Sequence, residues 1–137
     1  MKLSMLSAGF VVAGLANIVG ILTVSRFFTD STVSQYDPTV MSTFGLICIV
    51  LWGLAYIAAS RIKDNAVQWL AAVFAAEKVL YVVVWLIWMA GNWDTLPDIY
   101  ADDWLTGVFY SIYGLNDLLF AVFFVYAFKT YRNNPQV

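Results

Sequence analysis

The chain of 137 residues is far more apolar than a soluble domain of the same length. Hydrophobic residues make up 62% of it and charged residues 12%, whereas soluble domains average about 45–50% apolar and about 25% charged. The net charge is −2, and no basic patch indicates nucleic acid as a partner. There is no histidine and only one cysteine, which excludes an intrachain disulfide and removes the commonest metal ligand and general base. The composition therefore predicts a membrane protein without a metal site.

Four long apolar segments follow one another along the chain, at about residues 3–24, 39–60, 66–90 and 104–128. Each has the roughly 20 residues that an α-helix needs to cross a hydrocarbon core of about 30 Å. A continuous apolar run in lipid satisfies its backbone hydrogen bonds only as a helix. The sequence therefore predicts an all-α fold in which residues 1–137 form a single four-helix transmembrane domain.

Positive charges are distributed unevenly between the connecting segments. If the N-terminus is cytoplasmic, Arg26 is the one loop cation on the outer side, and the others fall on the inner side: Lys2, Arg61, Lys63, Lys129 and Arg132. Cytoplasmic segments are enriched in Lys and Arg, so both termini are predicted to be cytoplasmic in a multi-pass protein of the cell inner membrane. Because the connections are short, an up-down-up-down bundle is expected.

Polar and charged residues interrupt the apolar segments near their midpoints. Glu77 and Lys78 lie about a dozen residues into the third segment, and Asn116 and Asp117 lie about as far into the fourth, while Asn17 has a similar depth in the first. A charge at the centre of a transmembrane helix costs about 2.5–3.5 kcal/mol. These side chains are therefore expected to face inward and satisfy one another, with Lys78 paired to Asp117.

Two tyrosines lie one helical turn from these charges. Tyr81 follows Glu77 by four residues, and Tyr113 precedes Asp117 by four, so each shares a helix face with a carboxylate. One interpretation is a ligand pocket lined by the aromatic rings, and the other is simple packing. The charged cluster itself is either a functional site or a structural ion pair that fixes the register of the third and fourth helices.

The connection from residue 91 to residue 103 is acidic, with four aspartates and no Lys or Arg. We expect a solvated loop on the outer side of the membrane. Because a negative charge stabilises a helix N-terminus, Asp102 or Asp103 is predicted to cap the fourth helix.

Three short stretches resemble the small bacterial DoxX-like and BphX-like inner-membrane proteins: residues 13–17 (AGLAN), 77–81 (EKVLY) and 113–117 (YGLND). The length and the four-helix plan are also similar to those of these families. The resemblance implies an accessory membrane protein. Some members of these families are associated with redox or thiol metabolism. It assigns no functional residues to this chain.

Three functions are compatible with the pattern. The first is an intramembrane site that binds a small apolar molecule, a lipid or a quinone-like head group, through the residues listed here: Glu77, Lys78, Asn116, Asp117, Tyr81, Tyr113 and Asn17. The second is an accessory or structural subunit of a larger membrane complex. The third is a proton- or ion-coupled transporter that works as a homo-oligomer. An enzyme is the least supported class, because no catalytic motif is present and only carboxylates, tyrosines and Lys78 could transfer protons.

Overall fold

The computed structural model describes residues 2–134, with side chains from Ser4 onward. Residue 1 and residues 135–137 of the predicted domain lie outside this range. Within it the chain forms helices and no strand, so the predicted all-α class is confirmed there. The helices are α1 (Lys2–Val24), α2 (Thr32–Tyr36), α3 (Thr43–Ala59), α4 (Val67–Asn92), a 3-10 turn (Trp93–Thr95), α5 (Leu96–Asp102) and α6 (Trp104–Asn133).

Three helical stretches are long and apolar enough to cross a membrane: Ser4–Val24, Val67–Asp102 and Trp104–Asn133. In the most apolar part of each, only 28–39% of the residues are buried inside the protein. Large side chains such as Val19, Ile87 and Leu119 are instead exposed. Soluble monomers rarely expose apolar surface on this scale, so these helices suggest a membrane protein.

The predicted second segment, 39–60, forms a shorter helix than expected, because α3 begins only at Thr43. The buried carboxylate of Asp37 accepts hydrogen bonds from the amides two and three residues further along, at 3.2 and 3.0 Å. These bonds favour a turn over a helix. The side chain of Ser42 then accepts a hydrogen bond from the amide of Gly45 at 3.1 Å, which caps α3. α3 is apolar, but its 17 residues reach only about 26 Å.

The chain packs as two compact units, Met1–Arg61 (unit 1) and Ile62–Val137 (unit 2). In unit 1, α1 and α3 pack in antiparallel directions, and glycines allow their backbones to touch. A Cβ added to Gly14 would lie 2.5 Å from the carbonyl oxygen of Gly53, and one added to Gly53 would lie 2.7 Å from that of Gly14. Such close approach is typical of small-residue contacts between membrane helices.

Directly after α1 the backbone of unit 1 makes a left-handed turn of three residues. Arg26, Phe27 and Phe28 have φ angles of 47°, 59° and 63°, a conformation that costs an L-residue about 1–2 kcal/mol. The buried hydroxyl of Ser25 donates to the carbonyl of Ile21 at 2.7 Å and accepts from the amide of Phe28 at 3.1 Å. These bonds hold the turn closely against the end of α1.

In unit 2, α4 and α6 pack in antiparallel directions along a seam that runs nearly the whole length of both helices. The buried residues of α6 on this seam follow alternating spacings of three and four: Tyr110, Tyr113, Asp117, Phe120, Phe124, Ala127 and Tyr131. The α4 side has the same spacing as far as Lys78, with Val67, Ala71, Phe74 and Lys78 buried, and Trp88 is buried ten residues further on. This repeat is that of left-handed coiled coils, in which ridges of one helix fill grooves of the other.

The acidic connection between α4 and α6 is largely helical, which corrects the expectation of a loop. Inside it Ile99 is fully buried, and the ring of Tyr100 lies on Gly107, where an added Cβ would fall 2.6 Å from the ring. The side chain of Asp103 accepts bonds from the amide and hydroxyl of Thr106 at 3.2 and 2.6 Å. Asp103 therefore caps α6, as one of the two predicted candidates.

Candidate functional site

A buried ion pair lies in the middle of the α4–α6 seam. The Nζ atom of Lys78 is 2.6 Å from Oδ1 of Asp117, and the two residues are 1% and 6% exposed. Lys78 is the twelfth of the 26 residues of α4, and Asp117 is the fourteenth of the 30 residues of α6. The predicted pairing of Lys78 with Asp117 is thus confirmed.

Aromatic contacts close the seam on both sides of the ion pair. One turn toward the start of α4, Phe74 contacts Phe124 with ring centroids 5.4 Å apart. Two turns toward its other end, Trp85 contacts Tyr113 at 6.3 Å in an edge-on arrangement. Because apolar rings exclude water from both directions, the electrostatic attraction between the paired charges is screened little.

The aromatic group toward α5 is continuous. Trp88 stacks on Tyr110 with centroids 4.2 Å apart, and Phe109 stacks on Tyr113 at 5.1 Å. Tyr110 and Tyr113 contact each other edge-on at 6.1 Å. The rings of this group and of Trp85 pack on one another within the seam, and this aromatic wall begins one turn from Asp117. Offset and edge-on contacts between rings are favourable, so the rings of the wall hold one another in place.

Trp85 is fixed in this wall by an unusual contact with the backbone of α6. Its indole Nε1–H donates to the carbonyl oxygen of Tyr110 at 2.7 Å. The indole lies over Gly114, where an added Cβ would fall 2.0 Å from the ring. Gly114 therefore provides the flat surface on which the indole packs. The sequence analysis did not identify Gly114 as a packing position. The seven-residue spacing from Lys78 to Trp85 is the signal that places both of those side chains on the seam.

The remaining predicted residues of unit 2 lie close to the ion pair along the same two helices. Glu77 is 7% exposed, and Tyr113 is also buried. Asn116 and Tyr81 are half-buried. Glu77 points about 100° away from Lys78 around α4, so it borders the seam rather than lying on it. Glu77, Asp117 and Lys78, the polar cluster, thus place two carboxylates and one ammonium group near the middle of α4 and α6.

Asn17 lies in unit 1, where the structure gives it a defined role. It is buried, and its Nδ2–H donates to the backbone carbonyl of Ile49 at 3.1 Å, joining α1 to α3. Its Cβ also lies near Gly53, at the closest approach of the two helices. The participation of Asn17 in a site with Glu77 and Lys78 stays a prediction.

The side chains of the site provide charges and hydrogen-bonding groups for an organic ligand and do not form a metal site. An ammonium group donates up to three hydrogen bonds and carboxylates only accept, so the cluster can bind a head group that has both acceptors and donors. Among residues 2–134, no group of three His, Cys, Asp or Glu side chains is positioned to hold a metal ion.

Comparison with known proteins adds no family assignment. No protein-family model, curated protein or solved structure matches the chain. The resemblance to DoxX-like proteins therefore stays a prediction.

Proposed function

We propose that this chain is a multi-pass protein of the cell inner membrane, in which the polar cluster between α4 and α6 binds a small, largely apolar molecule. The molecule is a lipid or a quinone-like compound whose polar head reaches Lys78, Asp117 and Glu77. In this proposal α1, α3, α4 and α6 cross the bilayer as an up-down-up-down bundle, and both termini are cytoplasmic.

The membrane part of the proposal is supported by where the exposed apolar and aromatic side chains lie. Long stretches of α1, α4 and α6 present large aliphatic residues outward. Trp69 near the start of α4, Trp93 after its end, and Trp104 at the start of α6 are all about two-thirds exposed. Tryptophans are enriched at the two membrane interfaces. Trp88 and Tyr131, in contrast, are buried in the seam and therefore do not mark a boundary.

One observation carries the ligand-binding part, namely the concentration of charge at one level of an otherwise apolar helix pair. Glu77, Lys78 and Asp117 are all nearly inaccessible, and each lies close to the middle of its helix. Ionisable residues at such positions are expensive in a bilayer and commonly mark functional sites. A structural pair involves Lys78 and Asp117 alone, whereas this cluster also buries Glu77, a second carboxylate next to Lys78 in sequence.

The chemistry of the ligand follows from the site's two halves. The aromatic wall of Trp85, Tyr110 and Tyr113 favours a planar or chain-like apolar body. The ammonium group of Lys78 favours a head-group oxygen that accepts a hydrogen bond, such as a carbonyl or phosphate oxygen. A carboxylate favours a hydroxyl or amine donor on the same head group.

The test is native mass spectrometry of the protein released from its own membrane in mild detergent. We expect a bound molecule of defined mass on the wild type. The comparison variant is Lys78→Met/Asp117→Leu, in which apolar residues of similar size replace the ion pair. Such replacements of buried pairs are often neutral or stabilising, so the helix pair should persist while the bound molecule is lost.

Two controls separate binding from folding. Asp98→Asn changes an exposed carboxylate in α5 and should leave the bound molecule in place, whereas Glu77→Gln should weaken its binding. If the double variant retains the molecule at wild-type occupancy, the proposed site is wrong. If the wild type carries no small molecule but a stoichiometric protein partner, the accessory-subunit function replaces this proposal.

A further inference from the structure

We propose that the left-handed turn after α1 is a lipid anchor. The rings of Phe27 and Phe28 insert at the boundary between head groups and acyl chains, on the side of the membrane opposite to the N-terminus. This inference rests on the proposed membrane topology and is independent of the ligand site.

The turn exposes one phenylalanine strongly and its neighbour partly. Phe27 is 74% exposed and Phe28 is 40% exposed, and they are adjacent in sequence. The amide of Phe27 donates to the carbonyl of Leu22 at 2.8 Å, and the amide of Asp30 donates to that of Ser25 at 3.1 Å. Backbone hydrogen bonds therefore fix the turn that presents the two side chains.

The residue types make this arrangement unexpected for a simple turn. Non-glycine residues with positive φ are uncommon, and bulky ones are outliers. Glycine would adopt the same conformation without the steric conflict of a Cβ atom. The sequence nevertheless keeps two phenylalanines there, which favours a function of the rings outside the chain.

The position of the turn identifies the lipid boundary as the partner. The apolar stretch Ser4–Val24 has 21 residues, which span about 31 Å and match the thickness of a hydrocarbon core. The turn follows this stretch directly. The exposed face of α1, with Val12, Leu15 and Val19, leads without a polar break up to Thr23, one turn before Phe27.

The charged groups of the turn are compatible with the same location. Nη1 of Arg26 forms a partly exposed ion pair with Oδ2 of Asp30 at 2.6 Å. The pair cancels the net charge of the segment, so the rings are not drawn away from the boundary by an uncompensated carboxylate. A guanidinium group can also donate two hydrogen bonds to one phosphate group, so Arg26 is suited to a lipid head group at this depth.

The experiment measures the depth of single nitroxide labels in vesicles of phosphatidylcholine and phosphatidylglycerol. Cys48 is first changed to Ala, and one cysteine is then introduced by Val19→Cys, Phe27→Cys or Ser31→Cys. Electron paramagnetic resonance compares the collision of each label with oxygen, which enters lipid, and with a water-soluble nickel complex. The ratio of oxygen to nickel accessibility should be highest at residue 19, intermediate at residue 27, and several-fold lower at residue 31.

The outcomes distinguish this inference from the proposed topology. A label at residue 27 that is as accessible to nickel as one at residue 31, with residue 19 in lipid, overturns the anchor and leaves the topology intact. A nickel-accessible label at residue 19 contradicts the topology itself.

A second variant keeps the test valid if Phe27→Cys fails to fold. In Phe27→Gly/Phe28→Gly the left-handed turn is easier to form, but both rings are gone. The label at residue 19 should then become more accessible to nickel as the end of α1 loses its anchor. An unchanged accessibility contradicts the proposal.

Discussion

The two units of the chain share a plan but stabilise it by different means. Each consists of two long antiparallel helices joined through a short one: α1, α2 and α3 in unit 1, and α4, α5 and α6 in unit 2. In unit 1 the contact depends on glycines that bring two backbones together. In unit 2 it depends on an ion pair and on stacked aromatic rings.

The difference shows what is unusual about unit 2. Asn17 in unit 1 is buried at mid-helix, and its side chain donates a hydrogen bond to the backbone carbonyl of Ile49 on the facing helix. The charges of unit 2 require a partner of opposite sign on the facing helix. The contact between α1 and α3 thus depends on glycines and not on an ion pair, so the charges between α4 and α6 call for a separate explanation, and ligand binding is the one proposed here.

The largest expected effect comes from breaking the ion pair. Lys78→Met or Asp117→Leu alone should lower the free energy of unfolding by about 3–5 kcal/mol, because each leaves one buried charge uncompensated. The double variant should recover most of this loss. Unfolding in mixed detergent micelles measures all three, and a double variant as unstable as the sum of the single variants would contradict the pairing.

Next in size is the glycine contact of unit 1. Gly53→Ala should lower the free energy of unfolding by about 1–3 kcal/mol, because the new Cβ would meet the backbone oxygen of Gly14 and overpacked cores lose stability on this scale. Gly20→Ala is the matched control, since an added Cβ there has nothing within 4 Å. Equal stabilities of the two variants in the same micelles would show that α1 and α3 do not approach closely.

A smaller effect is expected at the helix caps, a feature that the two units have in common. Ser42 caps α3 and Asp103 caps α6, each accepting a hydrogen bond from an amide three residues on. Replacing either with Ala should cost about 0.5–2 kcal/mol. Gln35→Ala, at an exposed position of α2, serves as the control. Chemical unfolding in mixed micelles should give it the wild-type free energy of unfolding.

The smallest effect is expected for the polar contact of unit 1. Asn17→Leu removes the hydrogen bond to the carbonyl of Ile49, and such bonds between membrane helices contribute about 0.6 kcal/mol on average. A loss comparable to that of Asp117→Leu would mean that Asn17 contributes more to the stability of unit 1 than this hydrogen bond explains.

Sequence reasoning recovered the long helices and the ion pair because both follow from general constraints. Continuous apolar runs require helices, and two opposite charges at similar depth on neighbouring helices require each other. The starting point of α3 and the helical state of the acidic connection were missed. The start of α3 depends on the hydrogen bonds that the side chain of Asp37 accepts from nearby amides. The helical state of the connection depends on the burial of Ile99, and a run of apolar residues indicates neither.

The finer parts of the site depend on close contacts that a pattern of residue types does not specify. Gly114 matters because the indole of Trp85 lies directly on it, and Gly53 matters because Gly14 faces it. Whether a glycine packs against a partner, as these do, or faces open space, as Gly20 does, depends on the facing residue and the register. The seven-residue spacing indicates which helix face lies on the seam, but it does not indicate which glycine on that face packs against a partner.

The most direct test of the ligand site is the effect of lipid extraction on stability. A ligand that binds only the folded protein raises its thermal midpoint. Wild type and Lys78→Met/Asp117→Leu are each measured before and after exhaustive detergent exchange. We predict that extraction lowers the thermal midpoint of the wild type and leaves that of the double variant unchanged. Equal losses in both proteins would show that the stabilising molecules bind elsewhere, and would contradict a ligand site at the ion pair.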